Sequence, residues 1–287
     1  MKVASWKDYE IIATGDGYKL ERWKDVNLLR PDPQVIWKSS VDMDGYPQLN
    51  AKYIRSETGG GKWEYRKKTP AEWKVSYNDL TFLVKPMGFK HTGLFPEQAV
   101  NWDLMRSLIT SAGREINVLN LFAYTGGATV ACAKAGASVC HVDAAKAMVE
   151  RAGENVRLSG IADPKVRYIV DDCKKFVERE IRRGKRYDAV IMDPPSYGRG
   201  ANGEVWKLEN ELFDLVSLCE KVLSDKPLFF LINSYTTGLQ PQVMKNILEI
   251  LIKSKHGGKT DAYEVGLSTD EEGVILPCGN SGIWIGE

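Results

Sequence analysis

The feature that most constrains the fold is a regular alternation of strand-like and helix-like segments, which starts near residue 97 and continues to the end of the chain. Short apolar runs alternate with longer amphipathic segments, and Gly or Asp residues separate them. This order is typical of a mostly parallel sheet with helices on both faces. Right-handed crossovers place the carboxyl ends of such strands along one edge, so we expect ligands to bind in the loops that follow the strands.

The pattern predicts seven strands with helices between most of them. The predicted strands cover residues 116–121, 138–142, 165–170, 187–192, 228–233, 262–267 and 281–285. The predicted helices cover residues 128–135, 144–158, 173–183, 208–223 and 242–253. We therefore expect an α/β fold built on a Rossmann-like, seven-stranded sheet.

The first 90 residues have a different character. They hold five of the eight tryptophans and carry a net charge of +4, whereas the remainder carries −3. Alternating runs at residues 9–14, 18–23 and 73–77 are separated by Gly, Pro and Asp, which is typical of short antiparallel strands. We predict a small all-β domain at residues 1–88, which would recognise the substrate, followed by a larger domain at residues 89–287.

Composition excludes several classes of protein. The 287 residues include 39 Lys and Arg against 38 Asp and Glu, so the chain is not a polycation that binds nucleic acid through bulk charge. No apolar run reaches the roughly 20 residues of a membrane span, and the N-terminus lacks the apolar stretch of a secretory signal. Five scattered cysteines and three distant histidines indicate reduced thiols without a metal site. We expect a cytoplasmic protein with no metal and no membrane partner; its oligomeric state is not predicted.

Polar residues follow the first three predicted strands. Residues 120–127 form a Gly-containing turn into a helix, which suits a polar or anionic group but lacks the GxGxxG spacing of an NAD-linked oxidoreductase. Asp143 follows the second strand, where its carboxylate can hold two ribose hydroxyls or instead cap a helix. After the third strand, one carboxylate of Asp171 and Asp172 can meet an adenine amino group while the other caps a helix.

The most specific local signal follows the fourth strand, where the sequence reads Asp193-Pro194-Pro195-Ser196-Tyr197. Two prolines stiffen the loop and leave carbonyls that no neighbouring N–H must satisfy. With the aspartate, these carbonyls can accept hydrogen bonds from a substrate N–H, and the tyrosine offers a stacking face. The competing interpretation is a stiff turn that caps a helix.

Together these motifs resemble those of class I S-adenosylmethionine-dependent methyltransferases. The closer similarity is to the bacterial family that includes the large-subunit rRNA cytosine-C5 methyltransferase, and it covers roughly residues 90–287. The matching segments are HTGLFPEQ at residues 91–98, NLFAYTGG at 120–127, HVDAAK at 141–146, DDCKKF at 171–176 and DPPSYGRG at 193–200.

The resemblance implies where S-adenosylmethionine binds. Residues 120–126 would line its methionine end, Asp143 would hold the ribose, and Asp172 would lie beside the adenine. Asp193 and Pro194 would face the methyl group, and residues 92–98 would form part of the cover. The implied cofactor-binding residues are Thr92, Phe95, Gln98, Asn120, Phe122, Tyr124, Thr125, Gly126, Asp143, Asp172 and Asp193.

The sequence departs from the cytosine-C5 enzymes because it lacks their catalytic cysteine. That chemistry requires a thiolate that adds to C6 of the base. The loops where the family places it, at residues 195–197 and 233–237, contain no cysteine, and Cys278 lies in a late loop. We therefore predict direct in-line methyl transfer to a nitrogen or oxygen nucleophile, with Asp193, Pro194 and Tyr197 as the catalytic residues.

The predicted function is thus an S-adenosylmethionine-dependent methyltransferase that acts on RNA, and on ribosomal RNA in particular. Two alternatives remain open. One is a methyltransferase of a protein or a small molecule, and the other is a non-catalytic protein that binds RNA or the cofactor on the same scaffold. The presence of Asp143, Asp172 and Asp193 favours an enzyme.

Overall fold

The computed structural model describes residues 1–56, 60–162, 165–199 and 205–287. The chain divides into two compact units. The β unit comprises Met1–Val100 and Gly266–Cys278, and the α/β unit comprises Asn101–Val265 and Gly279–Glu287. A late segment, Gly266–Cys278, therefore belongs with the N-terminal residues, and we call it the arm. The domain boundary expected between residues 88 and 89 stays a prediction.

The β unit contains one five-stranded sheet, in the order β2-β3-β4-β5-β6, and a separate hairpin of β7 and β8. Its strands are β1 (Lys2–Val3), β2 (Tyr9–Gly15), β3 (Tyr18–Trp23), β4 (Val26–Pro31), β5 (Leu49–Arg55), β6 (Gly61–Tyr65), β7 (Trp73–Tyr77) and β8 (Leu80–Val84). Apolar residues that alternate along these strands, among them Leu20, Leu29 and Leu49, meet in its core. The all-β character predicted for this region is confirmed.

One feature of the β unit differs from the expectation of antiparallel strands. β4 and β5 are parallel. Parallel neighbours require a connection that returns the chain to the starting end of the first strand. Residues 32–48 make that connection, and their irregular sequence carries no periodicity from which the pairing could be predicted.

The remaining elements alternate as expected. The helices are α1 (Ala99–Ser111), α2 (Gly127–Lys134), α3 (Lys146–Leu158), α4 (Cys173–Arg182), α5 (Leu208–Glu220), α6 (Pro241–Leu248) and α7 (Ser254–His256), the last two joined by a π-helical turn at Glu249–Lys253. The strands are β9 (Asn117–Leu121), β10 (Ser138–Asp143), β11 (Val166–Val170), β12 (Ala189–Met192), β13 (Tyr197–Arg199), β14 (Val205–Lys207), β15 (Phe229–Ser234), β16 (Lys259–Ser268) and β17 (Ile275–Ile285). None of the described helices is long and apolar enough to cross a membrane.

The large sheet has the strand order β16-β17-β15-β12-β9-β10-β11, with the short β1 beside β16. The five strands from β15 to β11 are parallel, and β17 is antiparallel to β15. The Rossmann-like arrangement of seven strands is thereby confirmed. The chain first moves from β9 toward β11 and then returns to β12 on the other side of β9. Ligands bind at such a switch point, just beyond the carboxyl ends of the strands.

Burial explains why the sequence shows this pattern so clearly. The central strands are covered on both faces, so they read as continuous apolar runs rather than alternating ones. Leu119, Leu121, Val190, Met192 and Phe230 are wholly buried there. Their packing fixes the strand ends, and hence the loops that carry the polar motifs.

Candidate active site

The loop after β9 has a constrained backbone. Phe122 (φ 53°), Tyr124 (φ 49°) and Gly126 (φ 85°) all occupy the left-handed region, which residues other than glycine seldom adopt. At Gly126 a Cβ atom would also lie 2.8 Å from the Cβ of Ala152, so the position requires glycine for space as well as for φ. Such strain persists only where the surroundings hold the backbone, and it is common at ligand-binding sites.

Asp143, at the end of β10, holds this loop in place. Its Oδ2 accepts the backbone N–H of Tyr124 at 2.8 Å, and its Oδ1 accepts that of Ala145 at 2.8 Å. Each oxygen has a second acceptor position for a ligand hydroxyl, and the side chain is half-exposed. The competing interpretation of Asp143 as a helix cap is wrong, because α3 begins at Lys146 with Ala145 as its N-cap residue.

A buried chain of side chains lies beneath the loop. Asn120 Nδ2 donates to Thr129 Oγ1 at 2.9 Å, and that hydroxyl lies 2.9 Å from His141 Nδ1. Burial lowers the pKa of His141 to about 4, so the ring is neutral near pH 7 and its Nδ1 can accept the hydroxyl proton. The carbonyl of Thr125 accepts Asn155 Nδ2 at 2.8 Å. Asn120 and Thr125 thus stabilise the loop, and their direct contact with the cofactor stays a prediction.

After β11, both carboxylates have structural roles. Asp172 caps α4, because its Oδ1 accepts the N–H of Lys175 at 2.9 Å. Asp171 forms an ion pair with Arg179 and accepts the N–H of Asp172 at 2.8 Å. Asp172 remains exposed, so its other oxygen would have to make the adenine contact that the resemblance implies, and that contact stays a prediction.

After β12, the two proline carbonyls differ. The carbonyl of Pro195 accepts the indole Nε1–H of Trp206 at 2.6 Å, which occupies one of its two acceptor positions, so its availability to a substrate stays a prediction. The carbonyl of Pro194 accepts no hydrogen bond from the described residues. The N–H of Asp193 donates to the carbonyl of Leu121 at 3.4 Å, which joins this loop to the end of β9.

The sequence did not predict the hairpin of β13 and β14. Gly198 lies opposite Trp206 in this hairpin, and the Trp206 ring centre lies 5.9 Å from that of Phe122. Tyr197 is 51% exposed. Gly200, the last residue of the matching motif, lies outside the described residues. The sequence analysis assigned no role to Trp206. The one indication of a role was its position, between a Gly-rich segment and the start of α5.

The loops after β12 and β15 are joined through hydroxyl groups. Thr236 Oγ1 donates to Ser196 Oγ at 2.7 Å, and the N–H of Thr236 donates to the buried Ser234 Oγ at 3.1 Å. A buried network supports the end of β15, where Asn101 Nδ2 lies 3.1 Å from Asn233 Oδ1 and 2.9 Å from Ser281 Oγ. These paired loops therefore present oxygen atoms where a cytosine-C5 enzyme would present a thiol.

Three predicted cofactor residues lie in the β unit. Thr92 is buried, with its Oγ1 3.4 Å from the carbonyl of Leu94. The N–H of buried Gln98 donates to the carbonyl of half-buried Phe95 at 3.1 Å. The Phe95 ring meets that of His91 edge-on at 5.7 Å. Their role in covering the cofactor stays a prediction.

The five cysteines are free thiols. Burial raises the pKa of Cys140 to about 11 and that of Cys173 to about 12, and it raises those of Cys132 and Cys219 further. Burial also raises the pKa of Cys278, and the nearby Glu97 adds to this effect. All five are therefore protonated near pH 7, which does not suit a nucleophile.

The described residues contain no group of three or more His, Cys, Asp or Glu side chains arranged to hold a metal ion.

Comparison with known proteins identifies the family. The family model of S-adenosylmethionine-dependent methyltransferases matches residues 52–238. The crystal structure of a SAM-dependent methyltransferase from Agrobacterium tumefaciens superposes with a TM-score of 0.92 at 32% identity, covering 99% of this chain and 92% of that one.

Two curated relatives are ribosomal RNA large subunit methyltransferases. Methyltransferase K/L of Allochromatium vinosum is 36% identical over 151 residues, which are 52% of this chain and 20% of that protein. Methyltransferase K of Neisseria meningitidis is 26% identical over 226 residues, 75% of this chain and 63% of that protein. The chain thus spans less than two thirds of either relative. With the family match, the fold and the constrained loops all in agreement, the chain belongs to the S-adenosylmethionine-dependent methyltransferases.

Proposed function

We propose that this protein transfers a methyl group from S-adenosylmethionine to a nitrogen or oxygen atom of RNA, with large-subunit ribosomal RNA as its substrate. The observation that carries the proposal is the pair of joined loops after β12 and β15. They present the Pro194 carbonyl, the Asp193 carboxylate and aromatic rings, but no thiol. The names of the two curated relatives support ribosomal RNA as the substrate, and the five free thiols are consistent with a reaction in the cytoplasm.

The groups at the switch point fit this cofactor. The first intrahelical hydrogen bond of α2 runs from the N–H of Val130 to the carbonyl of Gly126, at 2.8 Å. The N–H groups of the three residues before Val130, at the start of the helix, therefore have no acceptor within the helix. Such a helix start suits the methionine carboxylate. The remaining acceptor positions of Asp143 suit the two ribose hydroxyls. We propose these contacts for the methionine carboxylate and the ribose of the cofactor.

The chain mainly has to position the acceptor. The bound cofactor supplies a methyl group that its sulfonium already activates. Asp193 and the Pro194 carbonyl accept hydrogen bonds from an N–H of the acceptor and turn its lone pair toward the methyl carbon. As the acceptor lone pair bonds to the methyl carbon, the bond between that carbon and the cofactor sulfur would break with its electron pair left on sulfur, and the acceptor proton would pass to Asp193 or to water. Tyr197 and Trp206 offer ring faces that would hold a planar base and exclude water.

Transfer of a labelled methyl group tests this proposal. Purified protein is incubated with S-adenosylmethionine carrying a tritiated methyl group and with separate pools of total RNA, total protein and small metabolites. We expect label in RNA, mainly in large-subunit ribosomal RNA. Label confined to protein or metabolites would contradict the RNA proposal.

The Asp193→Ala variant tests the catalytic assignment. We expect it to abolish transfer and to bind S-adenosylmethionine nearly as the parent does in calorimetry. Asp214→Ala, which removes an exposed carboxylate from α5, is the matched control and should keep full activity. A fully active Asp193→Ala protein would show that this carboxylate has no catalytic role.

A further inference from the structure

The exposed aromatic side chains of the β unit are not its tryptophans. Trp23 is fully buried, and the other four tryptophans are half-buried. Each of those four donates its indole N–H within the unit, and they are Trp6, Trp37, Trp63 and Trp73. Tyr65 and Phe89, in contrast, are 55% and 71% exposed. The tryptophans therefore stabilise the fold, and two other rings remain for a partner.

These two rings lie along the same edge of the sheet. β6 is the last strand in the sheet order, and Tyr65 and Trp63 share one of its faces because side chains alternate along a strand. Trp63 meets Tyr53 edge-on at 5.4 Å and donates to the carbonyl of Met87 at 2.8 Å. The Phe89 ring lies 3.8 Å from the Cβ position of Gly60, just before β6. The three rings thus follow β6 over about 17 Å, at about 3.4 Å per residue.

The backbone that presents Phe89 is strained. Phe89 (φ 54°) and Lys90 (φ 67°) are consecutive residues in the left-handed region. The turn is held from both sides, because Met87 N–H donates to the His91 carbonyl at 2.8 Å and Arg30 Nη1 donates to the Lys90 carbonyl at 2.9 Å. Holding this backbone in the left-handed region costs stability, and strained backbone of this kind clusters at ligand-binding sites.

Positive charges flank the rings. Arg55 ends β5 opposite Gly61 and is exposed. Lys90 follows Phe89 and donates to the carbonyl of Pro31 at 2.8 Å. Both cations lie at the start of β6, because Arg55 pairs with Gly61 and the Phe89 ring, next to Lys90 in sequence, lies beside Gly60. Rings beside cations on one surface are typical of sites for single-stranded nucleic acid.

We propose that Tyr65 and Phe89, with Arg55 and Lys90, form a binding surface for single-stranded RNA, and that the half-buried Trp63 supports it from within the fold. Bases stack on the exposed rings of Tyr65 and Phe89, and backbone phosphates meet the two cations. This inference rests on the proposed function for its partner class and adds the place where the substrate is held in the β unit. We call this surface the aromatic strip.

Binding of a short RNA to the full chain tests the strip. Fluorescence anisotropy with an unstructured, labelled oligonucleotide of about ten nucleotides gives the affinity. Tyr65→Ala and Phe89→Ala should each weaken binding about tenfold. Phe89→Tyr keeps an aromatic ring and should bind the oligonucleotide as the parent does. Arg55→Gln should weaken binding and reduce the salt dependence of log K by about 0.7. Ile36→Ala and Phe213→Ala remove exposed apolar side chains elsewhere and should change nothing.

The outcomes separate the strip from the proposed function. If the protein methylates RNA but Tyr65→Ala and Phe89→Ala bind the oligonucleotide as the parent does, the strip proposal is overturned and the function stands. If label enters only protein or metabolites, the proposal of RNA methylation is contradicted. The oligonucleotide affinities of the variants still test whether the aromatic strip binds RNA. If the parent is a dimer that Phe89→Ala dissociates without loss of RNA affinity, the strip is an interface between copies and the proposal is overturned.

Discussion

Asp143 anchors the loop after β9 and still has acceptor positions for a ligand. Replacing it with Ala removes the acceptors of two backbone N–H groups and those of the ribose hydroxyls. Because hydrogen bonds to a charged group contribute about 1.5–3 kcal/mol each, we expect Asp143→Ala to weaken S-adenosylmethionine binding at least tenfold in calorimetry. Asp143→Asn keeps part of the acceptor capacity and should lose less. An unchanged affinity in both variants would contradict the ribose assignment.

Two histidines, the buried His141 and the half-buried His91, predict how stability depends on pH. Burial lowers the pKa of both His141 and His91 to about 4, from an ordinary value near 6.5. Between these values the unfolded chain binds more protons than the folded one, so stability is lost as the pH falls from 6.5 toward 4. We expect the free energy of unfolding to drop by about 1–2 kcal/mol per histidine between pH 7 and pH 5.

Denaturant unfolding at the two pH values measures this drop. His141→Asn and His91→Asn should each be less sensitive to pH than the parent, whatever their stability at pH 7. A double variant as sensitive to pH as the parent would assign the effect to other groups.

The hairpin of β13 and β14 adds contacts to the site that the sequence did not predict. Trp206 connects the hairpin to Pro195 and packs near Phe122, so it holds the loop at residues 193–197 in place. We expect Trp206→Ala to lower kcat for RNA methylation at least tenfold with little change in cofactor affinity, because the stiff loop loses its support. Trp206→Phe keeps the ring and loses only the hydrogen bond, so it should retain more activity. Equal kcat in all three proteins would exclude this role.

Elements with a clear local period were predicted well. α4 and β7 begin and end within a residue of their expected bounds, because their apolar patterns and flanking turn residues are local signals. α3 begins at Lys146 rather than at residue 144, because Asp143 holds the N–H of Ala145 outside the helix. The β13–β14 hairpin was missed because each strand has only three residues, too few for a period to show.

At the scale of the whole molecule, the arm comes late in the sequence but pairs with a strand near the N-terminus. Thr269 pairs with Ile11, and the N–H of Asp270 donates to the carbonyl of Ile11 at 3.0 Å. A fragment of residues 89–287 removes these partners from the arm. We expect a melting temperature well below that of the full chain, and partial recovery when residues 1–88 are supplied in trans. A fragment that melts with the full chain would show that the arm contributes little stability.

The sequence by itself determined the main alternation of strands and helices, the all-β character of the N-terminal region, and which loops follow the parallel strands. These follow from local periodicity and from the right-handed crossover, which need no knowledge of distant contacts. The tertiary structure alone decided that Asp143 anchors Tyr124, that Trp206 takes the Pro195 carbonyl, and that Phe89 rather than a tryptophan faces solvent. Each of these depends on the folded backbone and on the packing of neighbouring segments, about which periodicity carries no information.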